Sequence, residues 1–254
     1  MKMTEVWGSS GAGKTITALA LGAAFAKQRK DTLILSTDTC TPALPLYLPR
    51  RTDLKSNNSI GGMLEEEHVT EASLKDRIHR HPKSERLFFM GYVSGETPTT
   101  YKQPDESTFL RFFQMLEHSP FQHVIVDCVS NPIYDVLTLF SLEAADAVVR
   151  VTTPDIKGYE FLKAQLAWME NSESFRAGQH IKLENLVLPL TPQKEAAALF
   201  GGFDFSLKYT RQAAERMMAG ELLSGFDDVA AMEYEHTVDA IAARIQEVSE
   251  DEAG

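Results

Sequence analysis

Residues 8–15 have the types and the spacing that could bind a phosphate chain. The segment reads Gly8-Ser9-Ser10-Gly11-Ala12-Gly13-Lys14-Thr15 and fits the pattern G-x-x-x-x-G-K-[ST]. Glycines let the backbone curl so that its amides point at phosphate oxygens, and a helix start adds positive potential. In this chemistry Lys14 neutralises the β- and γ-phosphates and the Thr15 hydroxyl coordinates Mg²⁺. We therefore predict a nucleoside triphosphate site with Mg²⁺ here, and we include Thr17 in it.

Two aspartates follow apolar runs that are typical of strands. Asp127 comes directly after residues 123–126, and Asp38 comes shortly after residues 33–36. The carboxyl ends of parallel strands line one crevice, so Asp127 is expected to hold the Mg²⁺ hydration shell and Asp38 to position the attacking water. Each could instead form a local turn or cap a helix. The candidate catalytic residues are Lys14, Asp38 and Asp127, and the candidate metal ligands are Thr15, Asp38 and Asp127.

Apolar runs alternate with helical patterns along the chain, which predicts a doubly wound, mostly parallel α/β sheet with helices on both faces. The predicted strands are 3–7, 32–35, 87–90, 123–126, 147–152 and 181–190. The predicted helices are 14–27, 106–117, 134–145, 158–169, 209–219 and 233–248. Residues 41–82 are expected to form a long loop with one or two surface helices. We predict one domain over residues 1–254, with an acidic helix and tail from about 233.

Composition limits the class of function. The chain has 254 residues, 43% of them hydrophobic, and a net charge of −11, which disfavours direct binding to nucleic acid. Local basic clusters at 27–30, 50–51 and 77–83 leave such binding open as the weaker alternative. Two cysteines and no apolar stretch of about 20 residues indicate a cytoplasmic protein without a transmembrane segment.

Four segments together resemble the MinD/ParA group of P-loop ATPases. They are residues 8–15, 33–42, 124–132 and 144–155, and the resemblance runs from residue 1 to about 190. It implies ATP rather than GTP, a face-to-face homodimer that forms with ATP, and switch segments at Asp38 and Asp127. Asn185 is similar in position to the asparagine that contacts adenine in this group, but an ordinary polar residue at a strand end is an equal alternative.

Within that group, residues 39–42 and 154–158 look most like CpaE/TadZ-like proteins, which act in Tad-type pilus assembly. The group carries a second lysine after the first glycine of its loop, and this chain has Ser9 there. An intermolecular cation of that kind can be worth several powers of ten in rate, so we expect slow hydrolysis. Lys157 and Arg150 are basic residues that could substitute for it. A nucleotide-binding scaffold with negligible hydrolysis is the alternative, as is a chromosome or plasmid partition ATPase.

The last predicted helix departs from MinD, which ends in a basic amphipathic helix that lies on the membrane. Here residues 233–248 are mainly acidic on the polar face, and anionic lipids would repel that face. We expect this helix to pack on the domain through Val238, Ile241, Ala242 and Ile245. Membrane association is then expected only through a protein partner of a pilus, secretion or positioning system.

Overall fold

The computed structural model describes residues 1–66, 69–172 and 175–251. Its strands are β1 (Lys2–Gly8), β2 (Thr32–Ser36), β3 (His79–Arg80), β4 (Leu87–Met90), β5 (His123–Asp127), β6 (Ala147–Thr152), β7 (His180–Val187) and β8 (Phe205–Lys208). They form an eight-stranded sheet in the order β3-β4-β2-β5-β1-β6-β7-β8. Strand β3 pairs antiparallel with β4, and the other pairings are parallel. The predicted mostly parallel sheet is confirmed.

The register of the central strands brings the predicted site residues to one edge. Asp127 of β5 pairs with Val6 of β1 and with Ser36 of β2, and Gly8 pairs with Val151 of β6. All of these lie at the carboxyl ends of their strands, because the strands run in parallel. The loops that follow these strands therefore meet above the same part of the sheet.

Helices cover both faces of the sheet. They are α1 (Lys14–Lys27), α2 (Leu44–Tyr47), α3 (Ile60–Leu64), α4 (Glu71–Asp76), α5 (Glu106–Glu117), α6 (Val136–Ala144), α7 (Ile156–Met169), α8 (Gln193–Phe200), α9 (Arg211–Met218) and α10 (Val229–Asp251). Side chains of α1, α9 and α10 pack on one face, around Val6 and Ile34. Side chains of α5, α6 and α7 pack on the other, around Trp7 and Val126. Along each strand, successive side chains point alternately into one core and then the other. The sheet and the helices on its two faces therefore form three layers.

Several elements differ from the sequence prediction. Strands β3 and β8 and helix α8 were not predicted; they are short elements of two, four and eight residues. Strand β7 ends at Val187 and not at residue 190. Its ladder with β8 shifts register between Glu184 and Val187, and Leu186 adopts a left-handed φ of 57°, which interrupts the extended conformation one residue before the strand ends.

The segment from 41 to 82 is also more structured than predicted. It contains α2, α3 and α4, and α2 and α3 are not surface helices. Leu44 and Tyr47 of α2 and Ile60 and Met63 of α3 are almost completely buried. These short helices therefore belong to the core and hold the loop after β2 against the sheet.

Helix α10 packs on the body of the molecule. Its predicted core residues, Val238, Ile241, Ala242 and Ile245, are at most 2% exposed, which confirms that prediction. Lys27 of α1 forms ion pairs with two acids of α10, Glu235 at 3.1 Å and Asp239 at 3.0 Å. Residues 252–254 of the predicted acidic tail lie outside the described residues. In the described part of the chain, no helix combines the length and apolarity needed to cross a bilayer.

Candidate functional site

The glycine-rich segment forms a tight loop between the end of β1 and the start of α1. Gly11 and Gly13 have left-handed φ angles of 75° and 84°, which favour glycine. Gly8 lies directly against β6, and a Cβ there would be 1.8 Å from the Val151 carbonyl oxygen. The Ser9 amide donates to that same oxygen at 3.2 Å. The loop geometry that the sequence motif predicts therefore depends on glycine at each of these three positions.

Asn185 and Thr17 hold the backbone of this loop. The Asn185 side-chain amide donates to the Ala12 carbonyl oxygen at 2.7 Å, and Asn185 is only 2% exposed. A Cβ on Gly13 would be 2.4 Å from the Asn185 amide nitrogen. Thr17 is fully buried, and its hydroxyl donates to the Gly13 carbonyl oxygen at 2.9 Å. These two residues shape the loop from behind, and neither lines the cavity in front of it.

A cavity of about 380 Å³ opens in front of the loop, at the carboxyl edge of the sheet. The predicted site residues that line it are Ser10, Gly11, Gly13, Lys14, Thr15, Asp38 and Asp127. Gly8, Ser9 and Ala12 of the predicted loop do not line it. The structure thus brings the predicted lysine, threonine and both aspartates to one cavity.

Lys14 points across the loop toward the segment after β5. Its ammonium donates to the Ser130 hydroxyl at 2.6 Å and to the Ser9 carbonyl oxygen at 3.3 Å. Burial lowers the pKa of Lys14, and the charges of Asp127 and Asp38 oppose that shift. Ser130 was not predicted as a site residue, because nothing in its local sequence reveals a partner 116 residues away. It holds the lysine at the cavity wall.

The Asp127 carboxylate accepts a hydrogen bond from a tyrosine. The Tyr47 hydroxyl donates to its Oδ2 at 2.7 Å, and Thr15 lines the same cavity. Burial raises the pKa of Asp127, while the bond from Tyr47, the Thr15 side chain and the charge of Lys14 lower it. The Thr15 hydroxyl and the Asp127 carboxylate are adjacent oxygen donors, which are the ligands that Mg²⁺ prefers. This donor set fits the predicted metal. Tyr47 was not predicted.

Asp38 forms hydrogen bonds within its own loop and also lines the cavity. Its Oδ1 accepts the amides of Cys40 and Thr41, each at 2.8 Å. This is the local turn that the sequence left open as an alternative. Asp38 nevertheless lines the cavity with Lys14 and Asp127, so its position is compatible with contact to a bound water.

Ser9 stands where the resembling family carries its second lysine. It is 4% exposed, and its hydroxyl has no hydrogen-bond partner among the described residues. Lys157 is exposed at the start of α7, and Arg150 lines a different cavity beneath α7. Neither of these basic residues lines the cavity at the loop.

A buried acid lies beneath the site and was missed by the sequence analysis. Glu5 of β1 is fully buried and accepts bonds from the Cys128 thiol at 3.0 Å and from the Ser141 hydroxyl. Burial raises the pKa of Glu5 to about 8, despite these two bonds. A glutamate inside a predicted central strand was the signal for it. Cys128 follows Asp127, so this cluster supports the segment that carries the metal-binding candidate.

Neither a protein-family model nor a curated protein sequence matches this chain. Solved structures do match it. The MinC:MinD cell division complex of Aquifex aeolicus has a TM-score of 0.74 at 13% identity, covering 97% of this chain and 96% of that chain. A proposed plasmid partition protein of Borrelia burgdorferi bound to AMPPNP has a TM-score of 0.72 at 14% identity, covering 99% of both.

The septum site-determining protein MinD of Pyrococcus horikoshii, in complex with Mg-ADP, also matches. Its TM-score is 0.62 at 15% identity, and the match covers 98% of this chain and 94% of that chain. Identities this low are informative about the fold alone. The chain has the P-loop α/β fold of the MinD/ParA ATPases.

Proposed function

We propose that this chain binds Mg-ATP at the cavity in front of residues 8–15 and hydrolyses it slowly. The observation that carries this proposal is the glycine loop at the start of α1, with Lys14, Thr15 and Asp127 on one cavity. Two of the matching structures contain AMPPNP or Mg-ADP, which supports a nucleotide of this class. We further propose that residues 1–254 form one ATPase domain and that it dimerises face to face when ATP is bound.

The proposed roles follow from the geometry. The loop amides and Lys14 would hold the phosphates, with Lys14 exchanging its bond to Ser130 for one to a phosphate oxygen. Thr15, and Asp127 through water, would hold Mg²⁺, which would neutralise phosphate charge when bound. Asp38 would position the attacking water at the γ-phosphate. Asn185 and Thr17 would keep the loop in its binding shape.

Ser9 is the reason to expect slow turnover. A cation supplied by a partner subunit stabilises charge in the transition state and can be worth about 10³–10⁵ in rate. The buried Ser9 side chain cannot reach out of its own subunit. A scaffold that binds ATP with negligible hydrolysis is the second candidate, and the same residue favours it. Whether it is a slow ATPase or a scaffold, the chain would act by shifting between its ATP-bound conformation and its other conformations.

The partner is proposed to be a protein. A MinD structure that matches this chain is bound to MinC, which supports a protein partner, and a CpaE/TadZ-like role in a pilus or secretion system remains our proposal. Chromosome or plasmid partition is the alternative. Its weakness is that cations of each basic cluster form ion pairs within the chain: Lys27 with Glu235, Arg51 with Asp53, and Lys83 with Glu221. We propose a cytoplasmic location.

Phosphate release by wild type and by Lys14→Ala tests this proposal. We expect wild type to release phosphate slowly, and Lys14→Ala to lose both release and ATP binding by about 100-fold or more. The exposed Lys194→Ala serves as the matched control. If wild type binds ATP but releases no more phosphate than Lys14→Ala, the scaffold replaces the enzyme. If calorimetry detects no Mg-ATP binding, both are wrong.

Gel filtration with and without ATP tests the dimer. We expect wild type to elute earlier with ATP, at a concentration well above its affinity, and Lys14→Ala to elute unchanged. An unchanged wild-type elution volume under saturating ATP would refute the dimer switch, even if nucleotide binds.

A further inference from the structure

A second cavity lies beneath α7, between that helix, strands β6 and β7, and the end of α8. Its volume is about 380 Å³, within the range of about 300–1,000 Å³ that is typical of small-molecule sites. Leu162 and Leu166 of α7, Phe200 of α8 and Phe203 form apolar walls. No residue lines both this cavity and the one at the glycine loop. It is therefore a separate place on the molecule.

One charged side chain on this cavity has a buried nitrogen without a hydrogen-bond partner among the described residues. Arg150 projects from β6, and its Nε is buried. Among the described residues, no hydrogen bond or ion pair is made by the Arg150 guanidinium. Burial lowers the pKa of Arg150, and the charges of Asp204 and Glu170 act against that shift without bonding to it. Arg150 is half-buried, and its buried Nε lacks both water and a bonding partner among the described residues, so a counter-ion would supply a bond that this site lacks.

The remaining charges of the cavity favour an anion. Lys163 and Lys182 line it together with Glu170, so positive charge prevails. The Lys182 ammonium is held at the Gly201 carbonyl oxygen at 2.9 Å. The net charge of Arg150, Lys163, Lys182 and Glu170 is positive, so an anion is attracted to this cavity.

We infer that this cavity binds a small monocarboxylate with an apolar body, whose carboxylate pairs with the Arg150 guanidinium. The planar guanidinium matches the two oxygens of a carboxylate in a bidentate pair. The leucine and phenylalanine walls match an alkyl or aromatic body. Binding then removes apolar surface from water and supplies the missing counter-ion at the same time.

Calorimetric titration with octanoate and with 1-octanol, in the absence of nucleotide, tests this inference. The two probes share an alkyl chain, but only octanoate carries a charge. We expect wild type to bind octanoate at least about tenfold more tightly than octanol. Arg150→Gln should weaken octanoate binding by roughly 10- to 100-fold and leave octanol unchanged. Arg150→Lys should keep part of the affinity because it keeps the charge.

Two further variants complete the experiment. Arg211→Gln, at an exposed position at the start of α9, is the matched control and should bind octanoate like wild type. Leu166→Trp should fill the cavity and abolish binding of both probes with Arg150 still present, which keeps the test decisive if Arg150→Gln fails to fold. The inference is wrong if wild type binds no octanoate at millimolar concentration, if octanol binds equally well, or if folded Arg150→Gln binds octanoate normally.

Discussion

The two cavities have the same volume, about 380 Å³, but opposite electrostatic organisation. At the glycine loop the charged groups already have partners within the chain: Lys14 bonds to Ser130, and Asp127 bonds to Tyr47. Beneath α7 the walls are apolar, and the guanidinium of Arg150 has no partner among the described residues. Equal volume therefore does not indicate equal chemistry.

The two cavities differ in whether their charged side chains are stabilised by partners within the chain. At the loop cavity Lys14 and Asp127 have partners within the chain, so a ligand must exchange existing hydrogen bonds for new ones. The cavity beneath α7 leaves one charge unsatisfied, so a ligand would supply a bond that is absent. Substitutions at the loop should therefore disturb the empty protein, whereas removal of Arg150 should not. The four predictions below test that contrast, in order of decreasing effect.

The largest effect is expected from Gly8→Ala. Its Cβ would be 1.8 Å from the Val151 carbonyl oxygen, so β1 and β6 must separate at the loop. We expect the free energy of unfolding to fall by about 3 kcal/mol, measured by urea denaturation. The matched control is Gly178→Ala, where an added Cβ meets nothing within 4 Å and a change below about 0.5 kcal/mol is expected. Equal stability of the two variants would contradict the tight packing of the loop on β6.

Glu5→Gln should remove part of the dependence of stability on pH. The folded pKa of Glu5 is raised to about 8, from an ordinary value of 4.5. Its protonated form therefore stabilises the folded protein fully below pH 4.5, and this contribution is lost as the pH rises through 8. From Glu5 alone, we expect the free energy of unfolding to fall on the order of 2 kcal/mol as the pH rises from 5 to 7.

The measurement for Glu5 is urea denaturation at several pH values, read as the difference between wild type and variant. The difference is needed because burial lowers the pKa of His123 to about 4 and of His180 to about 3, which gives the opposite slope below pH 6.5. Glu195→Gln, at an exposed position, should retain the wild-type profile. Parallel profiles for wild type and Glu5→Gln would show that Glu5 is ionised in the folded protein.

The sequence predicted the loop cavity because its main residues are contiguous or follow a recognisable strand. The pattern over residues 8–15 requires no knowledge of the strand order, and Asp127 follows a clear apolar run. Tyr47 lies 80 residues from Asp127, and Ser130 lies 116 from Lys14. Such pairs appear only when the order and register of the strands are known, so local patterns could not reveal them.

For the fold as well, elements with a clear local sequence pattern were predicted, and elements without one were not. The central strands are continuously buried and read as apolar runs, so β1, β2, β5 and β6 were predicted nearly to the residue. At the sheet edges, β3 has two residues and β8 is mostly half-exposed or exposed, so neither carries a periodic signal. The cavity beneath α7 escaped prediction for a related reason. Four separate elements and a loop assemble it, and no segment marks Arg150 as a binding residue.

Asn185→Ala separates two roles for this residue at the loop cavity. The side chain donates to the Ala12 carbonyl oxygen at 2.7 Å, so its removal leaves a buried acceptor unsatisfied. We expect about 1.5 kcal/mol weaker binding, roughly tenfold, for both ATP and inorganic triphosphate, measured by calorimetry. Loss of affinity for ATP alone would favour the predicted adenine contact instead. Asn171→Ala, at an exposed position, is the control and should bind both like wild type.

The smallest effect is expected from Arg150→Gln in the empty protein, and it tests the contrast most directly. Since the guanidinium has no partner among the described residues, its loss should change the free energy of unfolding by less than about 0.5 kcal/mol or raise it slightly. Arg77→Gln is the matched comparison, because Arg77 is 8% exposed and bonds to Glu66 at 2.6 Å and to the Ser73 carbonyl oxygen at 3.1 Å. The free energy of unfolding of Arg77→Gln should be lower than that of wild type by about 2 kcal/mol. If urea denaturation finds Arg150→Gln as destabilised as Arg77→Gln, Arg150 is a structural residue and the contrast between the two cavities fails.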